Sequence, residues 1–169
     1  MIRQCTDADF DSIHAIINDA AEAYRSVIPD DRWHEPYMGR DELAAEIADG
    51  VTFWGMELEG RLAGVMGIQD KGEVTLIRHA YVRPGFQKQG IGAALLHCFE
   101  KATEKPILIG AWADASWAIS FYRRNGYQLV THKEKTRLLK KYWSIPARQV
   151  DTSVVLADRK WFDTRPELY

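Results

Sequence analysis

Residues 74 to 102 constrain this chain most. An apolar segment, VTLIRHAYV (74–82), is broken by RPGFQKQG (83–90) and followed at once by a run in which Ile91, Ala94, Leu95, Cys98, Phe99 and Ala102 recur at the spacing of one buried helix face. A strand that passes through a turn into an amphipathic helix demands a layered fold, because the strand must sit in a sheet and the helix must cover it. The head of that helix carries Gly90 and Gly92. Glycine inside a helix costs roughly 1 kcal/mol. Two in a first turn therefore ask for a reason, either close packing or a ligand that approaches the backbone.

The flanking sequence fits the same architecture. Thr6-Asp7-Ala8-Asp9 has the chemistry of a helix start, and Phe10, Ile13, Ile17, Ala20 and Tyr24 follow at helical spacing. A polar and aromatic loop, PDDRWHEPYMG (29–39), leads to a short helix over 41–48 that Gly50 stops. VTFWGMEL (51–58), RLAGVMGIQ (61–69) and residues 74–82 are joined by Glu59-Gly60 and Asp70-Lys71-Gly72, which predicts an antiparallel meander. Beyond the central helix, ILIGAWA (107–113) predicts a strand parallel to 74–82. SWAISFYRRNG (116–126) reads as a helix, YQLV (127–130) as a strand, KTRLLKKYW (135–143) as a basic helix and QVDTSVVLA (149–157) as a final strand. The expected fold class is α/β (α+β): a mixed, mostly antiparallel twisted sheet with helices on both faces. No repeat or linker interrupts residues 1–169, so one domain is expected.

Composition narrows the function. With 27% charged residues and a net charge of −2, the chain has no global pull toward nucleic acid, and Lys133 to Lys141 reads as a solvated helix face. Cys5 and Cys98 lack metal-ligand spacing, so no metal is expected. The N-terminus turns acidic within seven residues, unlike a signal peptide, and no apolar run approaches the roughly 18 residues of a membrane span. A cytoplasmic protein is expected, monomer or homodimer, without a membrane partner.

Three phosphate-binding patterns compete for GFQKQGIGAAL. Gly85 and Gly90 have P-loop spacing, but Ile91 and Gly92 stand where Lys and Ser/Thr are needed. Gly90 and Gly92 begin a dinucleotide fingerprint, but Leu95 occupies its third small position. Gln/Arg-x-x-Gly-x-Gly/Ala is matched by Gln87 to Gly92 without substitution. Free first-turn amides and the positive end of the helix dipole suit a pyrophosphate there, with Lys88 and Arg83 adding charge.

YVRPGFQKQGIGAALL together with SWAISFYRRNGYQLV resembles the two main motifs of the GNAT superfamily of N-acetyltransferases. The resemblance implies acetyl-CoA as co-substrate and a parallel strand pair splayed at the CoA site. It implies cofactor contacts from Ala80, Tyr81, Val82, Gln87, Lys88, Gln89, Gly90, Ile91, Gly92, Ala93, Ser116 and Tyr122. It also implies a backbone N–H near Val82 as a partial oxyanion hole and Tyr122 as general acid toward the departing sulfur. One departure stands out: Ala115 holds the place of the family's Asn, and Asp114 and Ser116 are the neighbours that could replace its polar contact.

The acceptor implied is a primary amine, of a small molecule or a peptide. Such an amine has a pKa near 10 and must lose a proton. His79 and Glu35 are the candidate bases, with His34, Glu73 and a water chain as alternatives. Trp33, His34 and Tyr37 in the loop, and Arg78 in an otherwise apolar strand, are candidate acceptor contacts. Arg78 has a second reading as the partner of a nearby acid, such as one in the 29–39 loop. Two further readings stay open: a CoA-binding sensor without catalysis, and an acyl donor other than acetyl-CoA.

Overall fold

The structure is a computed structural model and describes residues 1–168; Tyr169, the last residue of the expected domain, lies outside the described residues. Its strands are β1 (Ile2–Gln4), β2 (Thr52–Leu58), β3 (Arg61–Asp70), β4 (Thr75–Val82), β5 (Ile107–Trp112), β6 (Gln128–Leu129) and β7 (Ser153–Ala157). The helices are α1 (Phe10–Ala21), α2 (Arg40–Ala48), α3 (Ile91–Ala102), α4 (Ser116–Arg124), α5 (His132–Tyr142), α6 (Ala147–Asp151) and α7 (Arg159–Asp163). One sheet has the order β1-β2-β3-β4-β5-β7-β6, and only β4 and β5 run parallel.

Period-two alternation separates the two faces. Ile77, Ile107, Ile109 and Leu156 pack with Ile91, Leu95, Leu96 and Phe99 of α3 and with Tyr122 of α4. Leu76, Leu108 and Val155 turn the other way, toward Leu138, Leu139 and Tyr142 of α5. On that second face, Ile13, Ile16 and Ile17 of α1 and Leu43 of α2 cover Phe53, Leu62 and Val65. Each such side chain contributes about 1.5–3 kcal/mol on full burial, which explains why the apolar periodicity dictates the layers.

The feature that makes room for a ligand is a break in this regularity. β4 and β5 pair only from Thr75↔Ile107 to Ile77↔Ile109, and then part. On its other edge, β4 carries an extra residue: Val65 faces Tyr81 while Gly67 faces Arg78, so two steps on β3 match three on β4. His79 sits in this bulge with φ 53°. A bulge bends its strand and sharpens the local twist, which carries the end of β4 away from β5.

Two elements differ from the sequence reading. The expected strand over 149–157 is shortened, because Pro146 opens a helical turn instead; Gln149 and Val150 N–H both donate to its carbonyl (3.0 and 3.1 Å). Within the basic stretch, Lys135 is buried, its Nζ donating to Val150 O at 2.8 Å, so that face is not wholly solvated.

Candidate active site

The turn between β4 and α3 is built from two left-handed residues, Lys88 (φ 63°) and Gly90 (φ 78°). Gly90 is the N-cap of α3, and a Cβ there would meet nothing within 4 Å, so its backbone conformation alone calls for glycine. Gly92 has the other reason: a Cβ would lie 3.2 Å from the Phe121 ring, and its absence lets α4 close on α3. The first intrahelical donor is Ala94 N–H, to Gly90 O at 3.0 Å. The amides of Ile91, Gly92 and Ala93 therefore have no partner within the helix and carry the positive end of its dipole.

These residues, with Gln87 and Lys88, line a cleft of about 750 Å³ that runs between α3 and α4 to the ends of β4 and α1. Ala80, Tyr81 and Val82 form its floor, and Tyr24, Trp117, Phe121, Tyr122, Arg124 and Asn125 its other wall. Arg83 N–H donates back to Ala63 O on β3 (2.8 Å). By the alternation of an antiparallel ladder, Val82 turns its N–H and C=O away from β3, to the side that β5 has vacated. Gln87 Nε2 approaches that carbonyl at 3.5 Å.

A second, smaller cavity of about 140 Å³ lies where β4 and β5 diverge. Tyr24, Ala80, Tyr81, Ala118 and Tyr122 line both spaces, so the two meet at the tyrosines. Tyr122 is buried against Phe121 and Tyr127 (ring centroids 5.1 and 6.2 Å). Its hydroxyl makes no hydrogen bond to another described residue, and burial, reinforced by Tyr24, pushes its pKa well up. Burial raises Tyr81 and Tyr37 as well, with each hydroxyl acting on the other.

The bulge has a further effect. Consecutive strand residues point to opposite faces, yet Arg78 and His79 both reach Glu46 of α2. Arg78 Nη2 lies 3.0 Å from Glu46 Oε1, and His79 Nε2 contacts Glu46 Oε2. Arg78 Nη1 also donates to Gln69 Oε1 at 3.1 Å. Burial alone would raise the Glu46 carboxyl, but contact with His79 and its charge, with Arg78, bring it below its ordinary value. With Nε2 on Glu46, His79 keeps Nδ1 free, and the ring lines the small cavity beside Phe53, on which it stacks.

The structure thus gathers Ala80, Tyr81, Val82, Gln87, Lys88, Gly90, Ile91, Gly92, Ala93 and Tyr122 around the cleft, and Arg78, His79 and Tyr37 around the small cavity. Gln89 and Ser116 are exposed and line neither; Asp114 is exposed too, and Ala115 is fully buried. Trp33, His34 and Glu35 stay outside. Trp33 and His34 stack on Tyr37, and Glu35 accepts from Trp33 Nε1 (2.9 Å) and pairs with Arg25 (3.1 Å). Glu73 is held by Lys141 and Tyr142 (2.9 and 2.6 Å). Sequence reasoning missed Glu46, Tyr24 and Trp112. Only the presence of Arg and His side by side in an apolar strand hinted that an acid waits opposite.

Residues 49–129 match the family model of the acetyltransferase (GNAT) domain. No curated protein matches the sequence. Among solved structures, PaiA N-acetyltransferase from Thermoplasma acidophilum, in complex with coenzyme A, superposes with a TM-score of 0.70 at 17% identity, covering 94% of this chain and 97% of that one. The ribosomal-protein-S18-alanine N-acetyltransferase of Escherichia coli gives 0.63 at 17% identity over 94% and 92%. N-acetylglutamate synthase of Neisseria gonorrhoeae, with coenzyme A and N-acetyl-glutamate, gives 0.64 at 21% identity over 95% of this chain and 35% of its own.

Proposed function

We propose that this chain belongs to the GNAT acetyltransferase superfamily and transfers an acetyl group from acetyl-CoA to a primary amine by direct attack, with residues 1–169 acting as one domain. The observation that carries the reading is the meeting of two cavities at Tyr122, one lined by free helix amides and the other by His79. The residues fit the donor: unpartnered N–H groups at the start of α3, Lys88 beside them, and a vacated β4 edge are what a pyrophosphate followed by an amide-bearing arm requires.

Acetyl-CoA supplies an acyl carbon made electrophilic by its thioester and a thiol as leaving group. The chain supplies orientation and proton handling. The α3 amides and Lys88 hold the phosphates, and Val82 N–H offers a donor at the strand edge for developing negative charge on oxygen. A primary amine arrives as an ammonium ion and loses two protons as the amide N–C bond forms and the C–S bond breaks. His79 Nδ1, with the ring fixed by Glu46, accepts the proton that frees the nitrogen lone pair. Tyr122 Oη gives its proton to the departing sulfur and regains one from the amine, so one proton is released to solvent overall.

The amine is a small molecule or a peptide terminus, and a cytoplasmic setting follows from acetyl-CoA as donor. Among the described residues no helix is long and apolar enough to cross a membrane. The test is thiol release from acetyl-CoA in the presence of an amine panel. Amine-dependent release supports the reading. CoA bound without release to any amine would replace it with a sensor on the same fold.

A further inference from the structure

The small cavity has a chemistry of its own. Six aromatic side chains line it: Tyr24, Tyr37, Tyr81, Trp112, Tyr122 and Trp143. No carboxylate does. Glu46, the acid that Arg78 and His79 of the lining reach, is engaged by them. A polyamine or an aminoglycoside would bring several cationic groups to a wall with no counter-charge. An amino acid would bring a carboxylate, and the one guanidinium on the lining, Arg78, is already bonded to Glu46 and Gln69 (3.0 and 3.1 Å). A peptide needs partners for its amides, and beyond the tyrosines, the two indole N–H groups and the His79 ring, only Gln149 and Ser153 offer neutral polar side chains on this lining.

What the walls do suit is a flat apolar ring with one cationic end. Aromatic faces attract an ammonium before it loses its proton, and they pack edge-on or offset against another ring. The volume agrees: at about 140 Å³ the space is close to the ~150 Å³ of a cavity known to accept benzene.

Resting on the acetyltransfer reading above, we propose that the acceptor is an arylalkylamine: a single aromatic ring seated among Tyr37, Trp112 and Trp143, with a short alkyl arm that carries the primary amine to Tyr81 and Tyr122. The ring supplies the binding, and the arm sets the nitrogen where the two cavities join.

The experiment is calorimetric titration of 2-phenylethylamine, spermidine and a tripeptide with a free N-terminus into the protein, with and without CoA, alongside thiol release with acetyl-CoA. The expected result is 2-phenylethylamine bound at least tenfold more tightly than either competitor, and acetylated with the highest kcat/KM. Trp143→Ala raises its Kd at least tenfold and leaves the Kd for acetyl-CoA within twofold. If that variant loses acetyl-CoA binding as well, Tyr37→Leu, from a different segment, carries the same expectation. Spermidine or the tripeptide bound or turned over as well as 2-phenylethylamine overturns the assignment, as does no binding of 2-phenylethylamine. No thiol release with any of the three amines, while 2-phenylethylamine still binds, removes the acetyltransfer reading and leaves the pocket assignment standing.

Discussion

Replacing Tyr122 by Phe separates chemistry from packing, because the structure gives the hydroxyl no packing role. The ring keeps its contacts with Phe121 and Tyr127, and the lost oxygen has no hydrogen-bond partner among the described residues. Removing an unpartnered buried hydroxyl is close to neutral for stability, so the thermal midpoint should move by no more than about 2 °C. The catalytic cost is different. General acid–base catalysis contributes about 10²–10⁴-fold. Burial pushes the Tyr122 pKa above its ordinary value near 10, whereas a thiol has a pKa near 8.5, so proton donation is uphill and the leaving group is already a good one. The effect should therefore fall at the low end, a loss of about 10² in kcat, or roughly 2.7 kcal/mol. The KM for acetyl-CoA should stay within about threefold. Steady-state thiol release, with thermal unfolding of both proteins, gives all three numbers. A variant that keeps kcat within threefold would refute the acid role and return Tyr122 to the core.

Gly90→Ala places an L side chain at φ 78° and should cost about 1–2 kcal/mol in thermal or urea unfolding, with a raised KM for acetyl-CoA. Gly92→Ala should instead act through the Phe121 ring 3.2 Å away, so Phe121→Leu in the same chain should relieve it, a rescue that Gly90→Ala should not show. Glu46→Gln should lower kcat about tenfold or more while leaving the KM for acetyl-CoA unchanged, because Glu46 fixes the His79 ring and touches no substrate; an unchanged kcat would remove His79 as the base. Asp9 accepts two bonds from Arg3 (2.8 and 2.9 Å), which hold its pKa at about 2, below the unfolded value near 3.9. Its contribution, about 1 kcal/mol, is thus full above pH 4 and lost as pH falls through 2. Asp9→Asn should destabilise at pH 7 and converge on the parent in acid; a constant difference down to pH 2 would contradict this.

Much of the fold follows from local pattern. β2, β3 and β4 are apolar runs separated by glycine turns, and α3 shows its buried face in its spacing, so both could be read one element at a time. α6 could not, because Val150 to Ala157 has strand composition throughout and only the Pro146 carbonyl decides that its first residues coil. In the site, the phosphate-binding turn was readable because its backbone demands are local. The two glycines turned out to answer different demands, one conformational and one of contact with α4, and a sequence motif cannot distinguish them. Glu46 was invisible for a stronger reason. It is one of three acids on α2, and only a bulge in a strand more than 30 residues later brings His79 to its side. The acceptor loop looked promising from Trp33, His34 and Glu35, but those residues satisfy one another, and the cavity takes its walls from Trp112 and Trp143 instead.

Three residue pairs hold β4 to β5. In chain order β1 to α3 lie on one side of that seam and β5 to α7 on the other, with α3 and α5 packing across it. Mechanically the protein is a half-sewn binding, firm at the foot and open at the head. A molecule lodged in the open end grips both covers and acts as a brace. Ligand occupancy at 100 times Kd is worth about 2.7 kcal/mol, and here that cohesion falls where β4 and β5 part. Crystals or spectra of the bare and laden protein should accordingly differ less in the interior of either half than in how tightly the two halves are drawn together.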